Sequence, residues 1–343
     1  MSEMNPAQNV VPPAEPLSPP PQPPPAPVGE PPAPRPLFLR KPAIVLFVVG
    51  LLIVIAGFAN FVPGGARSGG AVCFWGVLLF AFSFIRLPKT GPDAPPPMSA
   101  LQRIAGVFYE PANVFRNLRS HPRWLAGLLL IASLNIAYSV AFTQRLTPER
   151  IVNYMADKMA QTSWIPAEAV ERQREEGLEQ AKNPVQRVGT AIASVVGTFA
   201  FMSLMGALYM LGVLVFGGRI NFWQSLCAMI YAAVPIVVIQ KLISLPLLFI
   251  KDVDDIHPIM GQESLVQDNL GVLFSPAERP VLFVLASAIG LLSFYGLWLK
   301  ATGLKHGGQK VSKGAAWGTA ILFWTLGLIF LTIITALFPS FIS

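Results

Sequence analysis

Residues 222–250 read FWQSLCAMIYAAVPIVVIQKLISLPLLFI, 29 positions in which Lys241 is the single charge. A helix of about 20 apolar residues crosses a bilayer, so this stretch places the chain in a membrane. Comparable apolar runs lie on either side of it, at about 124–142, 188–216, 281–299 and 315–338. Two more precede these, at about 43–61 and 69–87. The fold class is therefore all-α: a polytopic helical membrane protein with seven predicted spans, an N-terminal hairpin followed by a five-helix bundle.

Composition agrees with the segments. Apolar residues make up 53% and charged residues 13% of the chain, where a soluble domain carries about 25% charge. Mean hydropathy is +0.55. The net charge of +7 sits in short loops beside the spans, so it sets orientation and is no nucleic-acid footprint. Cys73 and Cys227 both fall in apolar runs and read as small buried hydrophobes, not as a disulfide or zinc ligands.

Four regions follow one another. Residues 1–37 hold fifteen prolines and too few large apolar side chains to offset the entropy of ordering, which predicts a disordered, polyproline-biased tail. Residues 38–87 form the transmembrane hairpin, turning at Gly64, Gly65, Gly69 and Gly70. Residues 88–98 are a second proline-rich linker. Residues 99–343 form the main membrane domain, interrupted at 143–187 by a polar helical hairpin with seven acidic and seven basic residues. Thr147-Pro148-Glu149 starts its first helix, with a capping Thr and a Pro at the first helical position. Its second helix is expected from near Pro166 to near Asn183.

Residues 99–119 differ from both neighbours. Leu101, Ile104, Val107 and Phe108 recur at helical spacing, and Val114, Phe115 and Leu118 continue the stripe after Pro111. Arg103, Arg116, Arg119 and Arg123 fill the gaps. That pattern describes an amphipathic helix lying in the membrane interface, broken by Pro111.

Orientation follows from the loops. With the N-terminus in the cytoplasm, the cytoplasmic segments hold 14 Lys and Arg, against three on the other side once the long neutral hairpin is set aside. Positive loops stay inside, so the N-terminus is cytoplasmic and the C-terminus opposite. Trp124, Trp223, Trp298 and Trp317 near span ends suit an interfacial aromatic belt.

Several pieces, in this order and spacing, resemble the Yip-domain family of five-span membrane proteins. The first is Phe108-Tyr109-Glu110-Pro111, Val114-Phe115-Arg116 and Leu118, with Pro122-Arg123-Trp124 opening a span. The others are Ile230-Tyr231-Ala232-Ala233-Val234-Pro235, Asn269-Leu270-Gly271, and Trp298-Leu299 followed by Leu304 and Lys313-Gly314. The resemblance covers about 99–340. It implies a five-helix bundle with a cytoplasmic N-terminus. Eukaryotic relatives act in vesicle traffic and bind small GTPases of the Rab class through their cytosolic parts; their Asp-Leu-Tyr-Gly-Pro motif is absent here, the nearest string being Val107-Phe108-Tyr109-Glu110-Pro111, so that role does not carry over. The linkers have a bacterial character, which implies the bacterial inner membrane.

Two candidate sites stand out. Lys241 and Gln240 lie deep in a span between Pro235 and Pro246. A charge at the bilayer centre costs about 2.5–3.5 kcal/mol and marks a functional site by default. The interfacial or partner helix offers Ile104, Phe108, Glu110, Pro111, Phe115, Arg116 and Arg119. Asp252, Asp254, Asp255 and His257 match no cation-binding loop. Glu175-Glu176 sits in the polar hairpin without the chemistry of an intramembrane protease, and His121, His257 and His306 fall in separate loops. No catalytic residue, metal ligand or cofactor is assigned. The expected function is non-catalytic, membrane-organising or partner-binding. Its partners would be the lipid bilayer, a membrane or cytoplasmic protein, and anionic lipid headgroups. The alternative is a small-solute or ion transporter with Lys241 in the pathway. Ala193 with Gly197 and Ala286 with Gly290 are expected at close helix contacts.

Overall fold

The computed structural model describes residues 34–339 except 60, 63, 64, 89, 90, 92, 93, 163 and 164. The proline-rich tail up to residue 33, Asn60 and Gly64 lie outside the described residues. The described chain is helical: α1 (Arg40–Phe58), α2 (Gly65–Phe82), α3 (Ala100–Tyr109), α4 (Pro111–Ser120), α5 (Leu125–Leu146), α6 (Pro148–Ala160), α7 (Ala167–Lys182), α8 (Pro184–Val215), α9 (Phe222–Ile250), α10 (Pro280–Ser287), α11 (Leu291–Gly307) and α12 (Lys313–Leu337). Among the described residues the only β pairings are two isolated bridges.

Among the described residues, five helices are long and apolar enough to cross a membrane: α1 with the turn before it, α5, α8, α9 and α12. The all-α membrane architecture holds, with two departures from seven uninterrupted spans. The apolar part of α2, Ser68–Phe82, is short. The predicted sixth span is broken at Gly290 into α10 and α11. The break has a chemical cause, because a distant loop takes over the backbone bonds there. The Leu291 N–H donates to the Asp268 carbonyl, the Leu292 N–H to the Asp268 carboxylate at 2.6 Å, and the Leu270 N–H to the Ile289 carbonyl at 3.0 Å. A Cβ on Gly290 would stand 2.8 Å from the Asn269 side chain. Non-helical backbone at membrane depth survives only when satisfied this way.

Local sequence explains the helix ends. Ser99 and Gln102 form a capping box that starts α3, at 2.8 and 3.2 Å. Asn221 and Gln224 do the same for α9. Pro111 ends α3 and begins α4 as its first residue, where no N–H is needed. Thr147 and Pro148 start α6, and α7 ends before Asn183.

α1 and α2 run antiparallel through a seam of glycines. A Cβ on Gly50 would meet the Cys73 backbone nitrogen at 2.5 Å, one on Gly69 the Gly50 carbonyl at 2.6 Å, and one on Gly76 the Phe47 nitrogen at 2.7 Å. Gly57 meets the Ala66 backbone. Small residues permit this approach between membrane helices. The pairs predicted elsewhere differ: Gly197 has open space where its Cβ would be, and Gly290 marks the break.

The α2 helix docks on the remaining bundle through rings. Phe82 lies 5.7 Å from Phe199, 5.0 Å from Phe222 and 5.9 Å from Trp223, and Trp124 stacks on Phe199 at 4.8 Å. Trp223 is therefore not part of an interfacial belt. It is 1% exposed, and its indole N–H donates to the Ile85 carbonyl at 3.1 Å.

Candidate functional sites at the two ends of the bundle

One end is built by α3 and α4. Val107, Val114, Phe115 and Leu118 are buried in the main core, and Phe115 packs against Gly303 of α11. The apolar stripe predicted to lie in the bilayer interface is thus turned onto the protein. Its rotation is set by Arg103, placed by the sequence in a polar gap but only 4% exposed. The Arg103 Nε donates to the Tyr231 hydroxyl of α9 at 3.1 Å, and its guanidinium also donates to the Met98 carbonyl. The Tyr231 hydroxyl donates to the Arg123 carbonyl at 3.2 Å. Gln224 donates to the Arg119 carbonyl and Asn117 to the Pro96 carbonyl, so the pair of helices is latched at several points.

The outer face of this pair is polar and aromatic. Phe108, Tyr109, Glu110, Arg116 and Arg119 are exposed, Ile104 is half-buried, and Pro111 and Phe115 are buried. Glu110 accepts from Asn113 at 2.7 Å, and Arg116 donates to the Asn113 side-chain oxygen at 2.6 Å. Arg116 also reaches the end of α11. Partial burial, then Lys305 and Arg116, hold His306 below its ordinary value. Arg219 and Lys310 pair through their backbones beside it. This end concentrates positive charge.

The other end is closed by the segment after α9. Lys241 is 5% exposed, its ammonium donating to the Glu263 carbonyl and lying 4.2 Å from the Tyr138 ring centroid. The Tyr138 hydroxyl donates to the Gly261 carbonyl at 2.6 Å, and Ser244 meets Ser264 at 3.0 Å. Arg145 donates to the Leu248 and Lys251 carbonyls. Arg150 pairs with Asp254 at 2.9 Å. Gln240 is half-buried, Pro235 is buried and Pro246 is exposed. Five positions along a helix turn a residue by about 140°, which is why Pro246 does not share the Lys241 site. Cavities at this end are lined by residues of α5 to α8 and by Gln262, not by Lys241. Among the described residues no three His, Cys, Asp or Glu side chains gather for a metal.

His257 fastens the same segment to α6. Its Nδ1 accepts from the Ile259 and Met260 N–H groups at 3.2 and 3.1 Å, and its Nε2 lies 3.1 Å from the Tyr154 hydroxyl. Burial, then Lys158, lowers its pKa from 6.5. The unfolded chain thus takes up a proton before the folded one does. The stabilisation is present above about pH 6.5 and is lost as pH falls below it. Melting between pH 7.5 and 5 should show a fall in wild type that His257→Gln makes smaller. Equal slopes in the two proteins would remove His257 from the account.

The sequence pointed to Lys241 but not to its partners, the Glu263 carbonyl from a loop some twenty residues later and the Tyr138 ring from α5. It missed Arg103 as a buried latch. The signal was there: Arg103 precedes Val107 by four positions, one turn of the same face.

The profile of one family, the Yip1 domain, matches residues 105–334. No curated protein and no solved structure matches the chain.

Proposed function

The chain belongs to the Yip1 domain family, and from that premise we propose that it is a non-catalytic membrane protein that organises the bilayer or a partner protein through the α3–α4 face. The supporting observation is the latch at Arg103. The inner side of α3–α4 is spent on packing, so the exposed side is presented in a fixed orientation. Pre-organisation of this kind lowers the cost of binding. Its Arg116 and Arg119, with the basic end of α11, suit anionic headgroups or an acidic protein surface. We place this end in the cytoplasm of a bacterial cell, at the inner membrane, because the short loops at this end hold the excess of Lys and Arg. The transport alternative draws no support from Lys241, whose charge is covered by the Glu263 carbonyl and the Tyr138 ring.

The test is purification of the full chain in native nanodiscs from its host, with mass spectrometry of associated proteins and lipids. Wild type and Lys241→Leu should retain a stoichiometric protein or an enriched anionic lipid. The double variant Arg116→Glu/Arg119→Glu should lose it at least fivefold. Association untouched by charge reversal but abolished in folded Lys241→Leu would overturn the proposal in favour of transport.

A further inference from the structure

A cavity of about 630 Å³ lies at the opposite end of the bundle, between the α6–α7 hairpin and the ends of α5 and α8. We propose that it holds one phospholipid of the surrounding bilayer, with a zwitterionic, amine-bearing headgroup. Its volume falls within the range of about 300–1,000 Å³ typical of small-molecule sites.

The lining changes character with depth. At the water end stand Glu149, in the first turn of α6, and Arg187, at the start of the apolar part of α8. The Arg187 Nε donates to the Ala181 carbonyl at 2.7 Å, which holds the guanidinium at the rim. Further in, Ser194 of α8 and Ile136 of α5 line the cavity. At a rise of about 1.5 Å per residue, Ser194 lies roughly 10 Å along α8 from Arg187, and Ile136 roughly 15 Å from the end of α5. A site that begins at the interface and penetrates that far into the apolar layer matches an amphiphile, not a water-soluble solute. Val140 lines the cavity and is 50% exposed. The wall therefore continues onto the lipid-facing surface of α5, along which acyl chains leave the site.

Charge selects the headgroup. The rim holds one carboxylate and one guanidinium, in contrast to the cationic opposite end. A phosphate meets Arg187 and an ammonium meets Glu149, each with a charge-assisted bond. A purely anionic headgroup would satisfy Arg187 and be repelled by Glu149.

Native mass spectrometry of the full chain in detergent, titrated separately with phosphatidylethanolamine and phosphatidylglycerol, tests the proposal. Wild type should retain phosphatidylethanolamine at least threefold better. Glu149→Gln should remove that preference. Arg187→Gln should lower retention of both lipids at least fivefold, and Ala191→Trp, which fills the cavity, should do the same. Should Ala191→Trp fail to fold, the two rim variants, at exposed positions, carry the test. Equal retention of both lipids by wild type, no retention at all, or retention unchanged in the folded variants would each overturn it.

Discussion

Gly69→Leu is expected to part α1 from α2, while Gly70→Leu, one residue on, leaves the protein unchanged. At Gly69 an added Cβ would stand 2.6 Å from both the Gly50 carbonyl and the Val54 nitrogen. Those are backbone atoms, and neither can rotate away. At Gly70 nothing lies within 4 Å. Inserting bulk into a packed seam costs about 1–3 kcal/mol when neighbours can adjust. Here a whole helix must shift, so the upper end is expected. Inside a bilayer no hydrophobic effect draws the helices back, because lipid is as apolar as the lost contact. Cys73 supplies the readout, since it lies under Gly50 in the same seam. Its reaction with a maleimide in detergent, followed by peptide mass spectrometry, should quicken at least tenfold in Gly69→Leu, or roughly 1.4 kcal/mol of protection lost. Equal rates in the two variants would mean that the seam is not close-packed.

Arg103→Ala is expected to release α3 and α4 from the bundle. A buried hydrogen bond to a charged group contributes about 1.5–3 kcal/mol, and Arg103 makes such bonds to Tyr231 and Met98. Removing the side chain leaves the Met98 carbonyl and the Tyr231 ring facing a void, for an expected loss of about 2–4 kcal/mol. Arg103→Lys should recover only part, because an ammonium lacks the fork that spans two acceptors. Tyr231→Phe removes one partner only, and the double-variant cycle should show a coupling of about 1–2 kcal/mol. Hydrogen exchange over residues 98–118 is the direct measure. Unchanged protection in Arg103→Ala would show that packing by Val107, Phe115 and Leu118 alone holds the pair.

The spans were legible because bilayer thickness imposes a length that sequence records directly. Residues 222–250 were read as one helix and form one. Pro111 and Thr147-Pro148 were legible for a different reason, since a missing N–H and a capping hydroxyl act within a single turn. The break at Gly290 was not, because the groups that compensate it come from Asp268 and Asn269 in a separate loop. In the sequence, Asn269-Leu270-Gly271 carries only a family resemblance. Its place against the broken helix required the fold. The glycine seam shows a missed local signal: Gly50 and Gly57, like Gly69 and Gly76, are seven positions apart and so share a helix face. The buried face of α3 differs from the expected one by a fraction of a turn, because the Arg103 charge does not face water. A guanidinium with two acceptors does not need to.

The clamp over the far end of the bundle has an order in time. Among the described residues, the side chains outside the segment that hydrogen-bond or ion-pair with residues 251–265 come from an earlier part of the chain: Tyr138, Arg145, Arg150, Tyr154, Lys241 and Ser244. None belongs to α10, α11 or α12. During synthesis the segment therefore finds all of these partners already made when it leaves the ribosome. Half of the bundle can be fastened before the rest has been translated, and the last three helices then assemble against a finished wall.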